Sequence, residues 1–202
     1  MTAEDRTRRV VVATRNAGKI AEIRDILRDI PCEIISISDI DPEFQVDENG
    51  QTYTENAIKK ATAAVLAAET VAIADDSGLE VDALGGAPGL YSARFGGGSL
   101  PQAEKNSLLL QQLQGHTNRS ARFRCVIAVV SPDGKIQTTE GICEGEIGVE
   151  PRGDNGFGFD PLFLVPEYDL MMAELEPSIK NRISHRAKAL FQLREILPEF
   201  LR

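Results

Sequence analysis

The chain of 202 residues has no tryptophan, only three cysteines and two histidines, and just 5% aromatic residues. Cys32, Cys125 and Cys143 are odd in number and include no CxxC pair, which excludes a disulfide framework and a zinc knuckle as organising devices. Each is expected to be a small buried hydrophobe. Positive charge is scarce as well: 22 Lys and Arg stand against 31 Asp and Glu, a net charge of −9. That balance opposes sequence-independent binding to a nucleic-acid backbone. The charged start MTAEDRTRR is followed by an apolar run, Val10 to Ala13, too short for a signal-peptide core or a membrane span. A reducing cytoplasm is the expected compartment. Repeats, low-complexity tracts and Pro/Ser-rich linkers are also lacking, so a single cooperative unit over 1–202 is expected.

What is present reads as mixed α/β. Val10 to Ala13 has the character of a buried strand, and a helix follows with Ile20, Ile23, Ile26 and Leu27 on one face. Glu33 to Ile37 reads as a second strand and Ser38 to Gly50 as an acidic loop. An Ala-rich helix then runs to about Glu69, with Thr52 and Glu55 spaced as a capping box. Val71 to Ala74 predicts a third strand, Leu79 to Ala83 a fourth short one, and GGAPG at 85–89 a loop. Ser99 before Pro101 predicts a cap for a helix to Gln114. Arg122 to Val130, the turn SPDG and Lys135 to Ile142 predict an antiparallel hairpin. Ser184 is positioned to cap a last helix carrying Ala187, Leu190, Phe191 and Leu193.

Four stretches carry chemistry. Thr14-Arg15-Asn16-Ala17-Gly18-Lys19 joins a strand to a helix, where unpaired N–H groups favour an anion. Lys19 in the first turn opposes the helix dipole unless an anionic ligand offsets it. In Asp75-Asp76-Ser77-Gly78 the two adjacent carboxylates admit either an Asx turn or a hard cation such as Mg²⁺ at the end of a strand. Asp47 and Glu48 in the preceding loop are further metal candidates, and Glu55 a weaker one. The stretch KNRISHRAK groups Lys180, Arg182, His185, Arg186 and Lys188 at a helix start in an acidic chain. It reads either as a solvated charged face or as a site for an anionic or carbonyl-bearing partner. His116, in QGHTN, reads as a surface residue. Gly156-Phe157-Gly158-Phe159-Asp160-Pro161 places two aromatics where a flat ring can approach and stack, or where they can face a core.

The stretches ATRNAGKIAEI, TENAIKKA, ADDSGLEVDALGGAPGLYSARF, GFGFDP and ISHRAKAL, in this order over nearly the whole chain, resemble the inosine triphosphate pyrophosphatase family. The resemblance implies a two-lobed α/β fold with a long central mixed sheet flanked by helices, a substrate lying between the lobes, and a homodimer. It implies Mg²⁺-dependent hydrolysis of non-standard purine nucleoside triphosphates such as ITP, dITP and XTP to the monophosphate and pyrophosphate. By the same resemblance Thr14, Asn16 and Lys19 belong to the triphosphate loop, together with Arg15, Ala17 and Gly18. Asp76 is implied as metal ligand and general base, Glu48 as the second metal-ligating acid, and Ser77 as a substrate contact. Phe157, Gly158, Phe159, Asp160, Lys180, His185 and Arg186 match nucleobase and phosphate contacts. Phe159 stands where relatives often have Tyr, and Asn155 where Gly is frequent.

Two alternatives remain beside this reading. A non-catalytic nucleotide sensor would use the same phosphate loop and aromatic clamp but has little use for crowded carboxylates. A pyrophosphatase for pyrimidine or modified nucleotides would differ in which triphosphate it turns over.

Overall fold

The computed structural model describes residues 8–202, so the charged start, residues 1–7, lies outside the described residues. Strand β1 (Arg8–Val12) places Val10, Val11 and Val12 out of contact with solvent. It pairs in parallel on one side with β2 (Cys32–Ser36), Val10 opposite Ile34, and on the other with β3 (Val71–Val81), Val12 opposite Ile73. A continuous apolar run suits a parallel strand covered on both faces. Helix α1 (Ala17–Ile26) buries Ile23 and Ile26, and α2 (Tyr53–Ala68) buries Tyr53, Ala57, Ala61, Ala64 and Val65.

Among the described residues the sheet has seven strands in the order β2-β1-β3-β4-β5-β6-β7, completed by β4 (Ser120–Val130), β5 (Ile136–Ile147), β6 (Phe163–Val165) and β7 (Leu170–Met171). Neighbouring β4 and β5 are joined by the turn at 131–135, closed by Ser131 N–H to the Lys135 carbonyl, as the SPDG motif predicts. β5/β6 and β6/β7 are antiparallel, so the sheet is mixed. The remaining helices are α3 (Gln102–Gln112), α4 (Pro177–Ile183) and α5 (His185–Phe200). No helix among the described residues is long and apolar enough to cross a membrane.

The described residues divide into two compact units, one of residues 8–76, 126–140 and 189–202, the other of 77–125 and 141–188. The second has its own core of Leu79, Leu109, Leu113, Phe123, Ile147, Leu162 and Phe163.

Several local expectations are corrected. Asp75 to Gly78 is neither a turn nor a strand end, because β3 runs unbroken from Val71 to Val81 and merges the two short strands expected there. Gly78 is not among the positive-φ glycines, so an Asx turn with a left-handed glycine is excluded. The first residue before α3 is Pro101, which makes no side-chain cap, and Ser99 lies outside. Thr52 caps α2 as expected, but Glu55 accepts from Gln51 N–H at 2.7 Å and leaves the capping box open, because its carboxylate holds the preceding loop instead. Strands β6 and β7 and helix α4 had no legible signal. Cys125 and Cys143 are buried, whereas Cys32 is only half-buried, being at the start of the outermost strand β2.

Ile73, the third residue of β3, is 1% exposed and pairs opposite Val12 of β1. Ile73→Ala is expected to lower the stability of the fold by about 2–5 kcal/mol, read as a reduced urea midpoint with unchanged slope.

Candidate active site

The polar loop after β1 is held by its own side chains. Thr14 Oγ1 accepts from Asn16 N–H at 3.2 Å, and Asn16 caps α1 through Oδ1, which accepts from Lys19 N–H at 3.1 Å. Arg15 donates to the Pro42 carbonyl. Ala17 and Gly18 open the helix, and its first turn contains no acidic residue. Lys19 extends to Asp75, Nζ to Oδ2 2.8 Å.

Asp75 and Asp76 are both buried within β3, and each is matched to a different lysine. Lys60 of α2 donates to Asp76 Oδ1 at 3.1 Å and to Glu48 Oε1 at 2.8 Å, so one ammonium joins two carboxylates. Asn56 donates from Nδ2 to Asp76 Oδ2 at 3.1 Å. Burial pushes the Asp76 carboxyl above the ordinary range; Lys60 and Asn56 draw it back, Glu48 adds to the rise, and the net shift is upward. Burial alone would pull Lys60 down, but Asp76, Asp75 and Glu48 outweigh it, and its pKa is raised. Of the loop acids, Glu48 is therefore brought to Asp76, while Glu55 is engaged with Gln51.

Lys60 and Asn56 join the site beside the residues that the sequence motifs single out. A signal for both exists in the sequence. The buried stripe of α2 runs through residues 53, 56, 57, 60, 61, 64 and 65, and Asn56 and Lys60 are its polar members, one turn apart. A buried Lys and a buried Asn on an apolar stripe require partners.

The second unit assembles the remaining predicted residues around Phe157. Asp160 Oδ2 accepts from Phe157 N–H at 2.9 Å and from Lys180 Nζ at 2.7 Å, with Asp160 and Lys180 both buried. Gly156, at φ +79°, cannot be replaced without cost: a Cβ there would stand 2.2 Å from Asp160 Oδ2. The Phe157 ring lies 4.7 Å from Lys180 Nζ and 5.5 Å from the Arg186 guanidinium carbon. Arg186 donates to Ser77 Oγ at 3.1 Å, and His185 stacks on Phe123 at 4.7 Å between ring centroids. Gly158 presents its carbonyl to Asn106 Nδ2 at 3.5 Å. Phe159 takes the core-facing alternative: it is 4% exposed, packed in the core and edge-on to Phe95. His116 is exposed, as expected.

A family model, the Ham1 family, matches residues 10–196. The chain belongs to the Ham1 family. It is 50% identical over 191 residues to the dITP/XTP pyrophosphatase of Desulforamulus reducens, covering 94% of this chain and 95% of that one. To the dITP/XTP pyrophosphatase of Geobacter sulfurreducens it is 48% identical over 192 residues, covering 94% and 96%. Among solved structures it is similar to the Ham1 protein of Staphylococcus aureus, with TM-score 0.85, 43% identity and 95% and 99% coverage. A HAM1 protein from Coxiella burnetii gives TM-score 0.87 at 41% identity, with 96% and 100% coverage. These likenesses agree with the mixed α/β sheet and with the family resemblance of the motifs.

The carboxylates of this Ham1-family chain fit a hard divalent cation. Asp76 and Glu48 already converge on one positive group, and three carboxylates against Lys19 and Lys60 leave one negative charge in excess. Among the described residues no group of three or more His, Cys, Asp or Glu could hold a metal ion by itself.

The raised pKa of Asp76 carries a stability consequence. A folded-state pKa above the unfolded value favours the fold below the unfolded pKa, and that contribution is lost as pH rises through the folded pKa. At pH near 7 the metal-free protein thus bears a cost of ionising Asp76, with Asp ordinarily titrating at about 3.9. Metal-free Asp76→Asn is expected to melt above the parent at neutral pH, with the difference shrinking toward about pH 4. Calorimetry in chelator across that range checks it.

Proposed function

We propose that the chain is a nucleoside-triphosphate pyrophosphatase that hydrolyses non-standard purine nucleotides, ITP, dITP and XTP, to the monophosphate and pyrophosphate. The observation that carries the reading is the pair of adjacent buried carboxylates, each bound to a lysine from a different element. The names of the similar dITP/XTP pyrophosphatases support the same substrate class.

In this reading the capped start of α1, with Thr14, Asn16 and Lys19, receives phosphate oxygens. Lys19 is held in place by Asp75, which makes Asp75 a positioning group. Asp76 accepts the proton of the attacking water, a task its raised pKa favours. The water oxygen bonds to the α-phosphorus, the bond to the bridging oxygen breaks, and pyrophosphate leaves with charge stabilised by Lys19. A Mg²⁺ ion held by Asp76 and Glu48 would neutralise phosphate charge. Lys60 keeps those two carboxylates together.

The nucleobase is assigned to Phe157, His185 and Arg186. The Phe157 ring offers a stacking face, and Arg186 is a donor for the carbonyl at the purine 6-position, where adenine carries an amino group. Asp160 acts by fixing the loop and Lys180 rather than by reading the base. A homodimer in the cytoplasm completes the proposal.

Incubation with ITP and Mg²⁺ should yield IMP and pyrophosphate by chromatography. Asp76→Asn is expected to lower kcat by about 100-fold or more while ITP still binds. Release of orthophosphate in place of pyrophosphate would place the attack on another phosphorus. Tight ITP binding without turnover would favour a sensor, and faster turnover of dUTP than ITP would sink the purine assignment.

A further inference from the structure

Asn56 is 1% exposed and sits inside helix α2, where asparagine has no intrinsic preference. Its amide is used at both ends. Oδ1 accepts from Gly50 N–H at 2.8 Å, and Nδ2 donates to Asp76 Oδ2 at 3.1 Å. A backbone N–H can only donate and an ionised carboxylate can only accept, so the amide has one workable orientation.

Four consecutive loop residues are fastened to the helix in turn: Glu48 to Lys60, Asn49 to Lys59, Gly50 to Asn56 and Gln51 to Glu55. Lys60 and Asn56 also touch Asp76. The Lys60 contacts are ionic and can exchange with an incoming cation, whereas the Asn56 amide is neutral and does not compete with it. Gly50 lacks a side chain at the point of closest approach, where a Cβ would stand 2.6 Å from Asn56 Oδ1 and 2.9 Å from Glu55 Cβ.

We infer that Asn56 is a positioning residue that sets the spacing between the carboxylates of Asp76 and Glu48, one through its Nδ2 bond and the other through the loop it holds at Gly50. The inference rests on the reading of those two acids as a divalent-metal pair. Removing the amide frees Asp76 to rotate and lets the Glu48 loop drift, so cation affinity falls before nucleotide contacts do.

The test measures Mn²⁺ binding by electron paramagnetic resonance without nucleotide, for the parent, Asn56→Ala and Gly50→Ala. Gly50→Ala disturbs the same contact from the loop side and leaves Asn56 in place. Both variants are expected to bind Mn²⁺ about 10-fold or more weakly, the scale seen when a group orienting a metal ligand is lost. Half-maximal turnover should need correspondingly more Mg²⁺, while KM for ITP at saturating Mg²⁺ stays within about threefold. Mn²⁺ affinity within about twofold of the parent in a folded variant, with only the melting temperature lowered, overturns the inference. Failure of both variants to fold cooperatively overturns it too, in favour of a purely structural role. A parent that turns over ITP yet binds no Mn²⁺ overturns the metal reading along with it, whereas a parent that binds Mn²⁺ beside equally competent variants overturns the inference alone.

Discussion

Two adjacent aspartates in the middle of a buried strand are the constraint on which the first unit depends. A lone carboxylate in that environment is too costly to keep charged, and two side by side repel as well. The structure answers with Lys19 from α1 and Lys60 from α2, so both helices that flank the parallel strands are tied to β3 by charge as well as by packing. Buried pairs of this kind do not by themselves make a fold more stable than apolar residues would. Their presence points to use, and the upward shift at Asp76 indicates that the compensation is incomplete.

The second unit repeats the device in a different setting. Lys180 and Asp160 form a buried pair that closes the glycine-rich loop and brings an ammonium group near the Phe157 ring. Arg186, fully buried yet reaching Ser77, connects the start of α5 to the strand residue that follows Asp76. In both units a cation that sequence patterning would put at the surface is held inside by a specific carboxylate or hydroxyl.

Most of the regular elements were legible because they follow from period and capping. The Val10–Val12 run, the Asn and Thr caps of α1 and α2, the SPDG turn and the Ser184 cap all act within a few residues of chain. The adjacent acids, Lys19, Lys180 and Arg186 stood out by being the wrong residue type for their place. The passage of β3 through Asp75 to Gly78 was not legible, because polar residues and glycine normally punctuate a strand. The lysines of α1 and α2 compensate its two acids from outside the strand.

By itself, then, the sequence determined the class of fold, the location of its caps and turns, the family motifs and the set of polar residues out of place. Tertiary structure decided how they pair: Lys19 with Asp75, Lys60 across Asp76 and Glu48, Asn56 between Gly50 and Asp76, and Phe159 in the core while Phe157 is left beside the cations. The physical reason is range. Hydrogen bonds within a turn and hydrophobic period are set by neighbours in the chain, whereas the partner of a buried charge is set by which elements the sheet order makes adjacent.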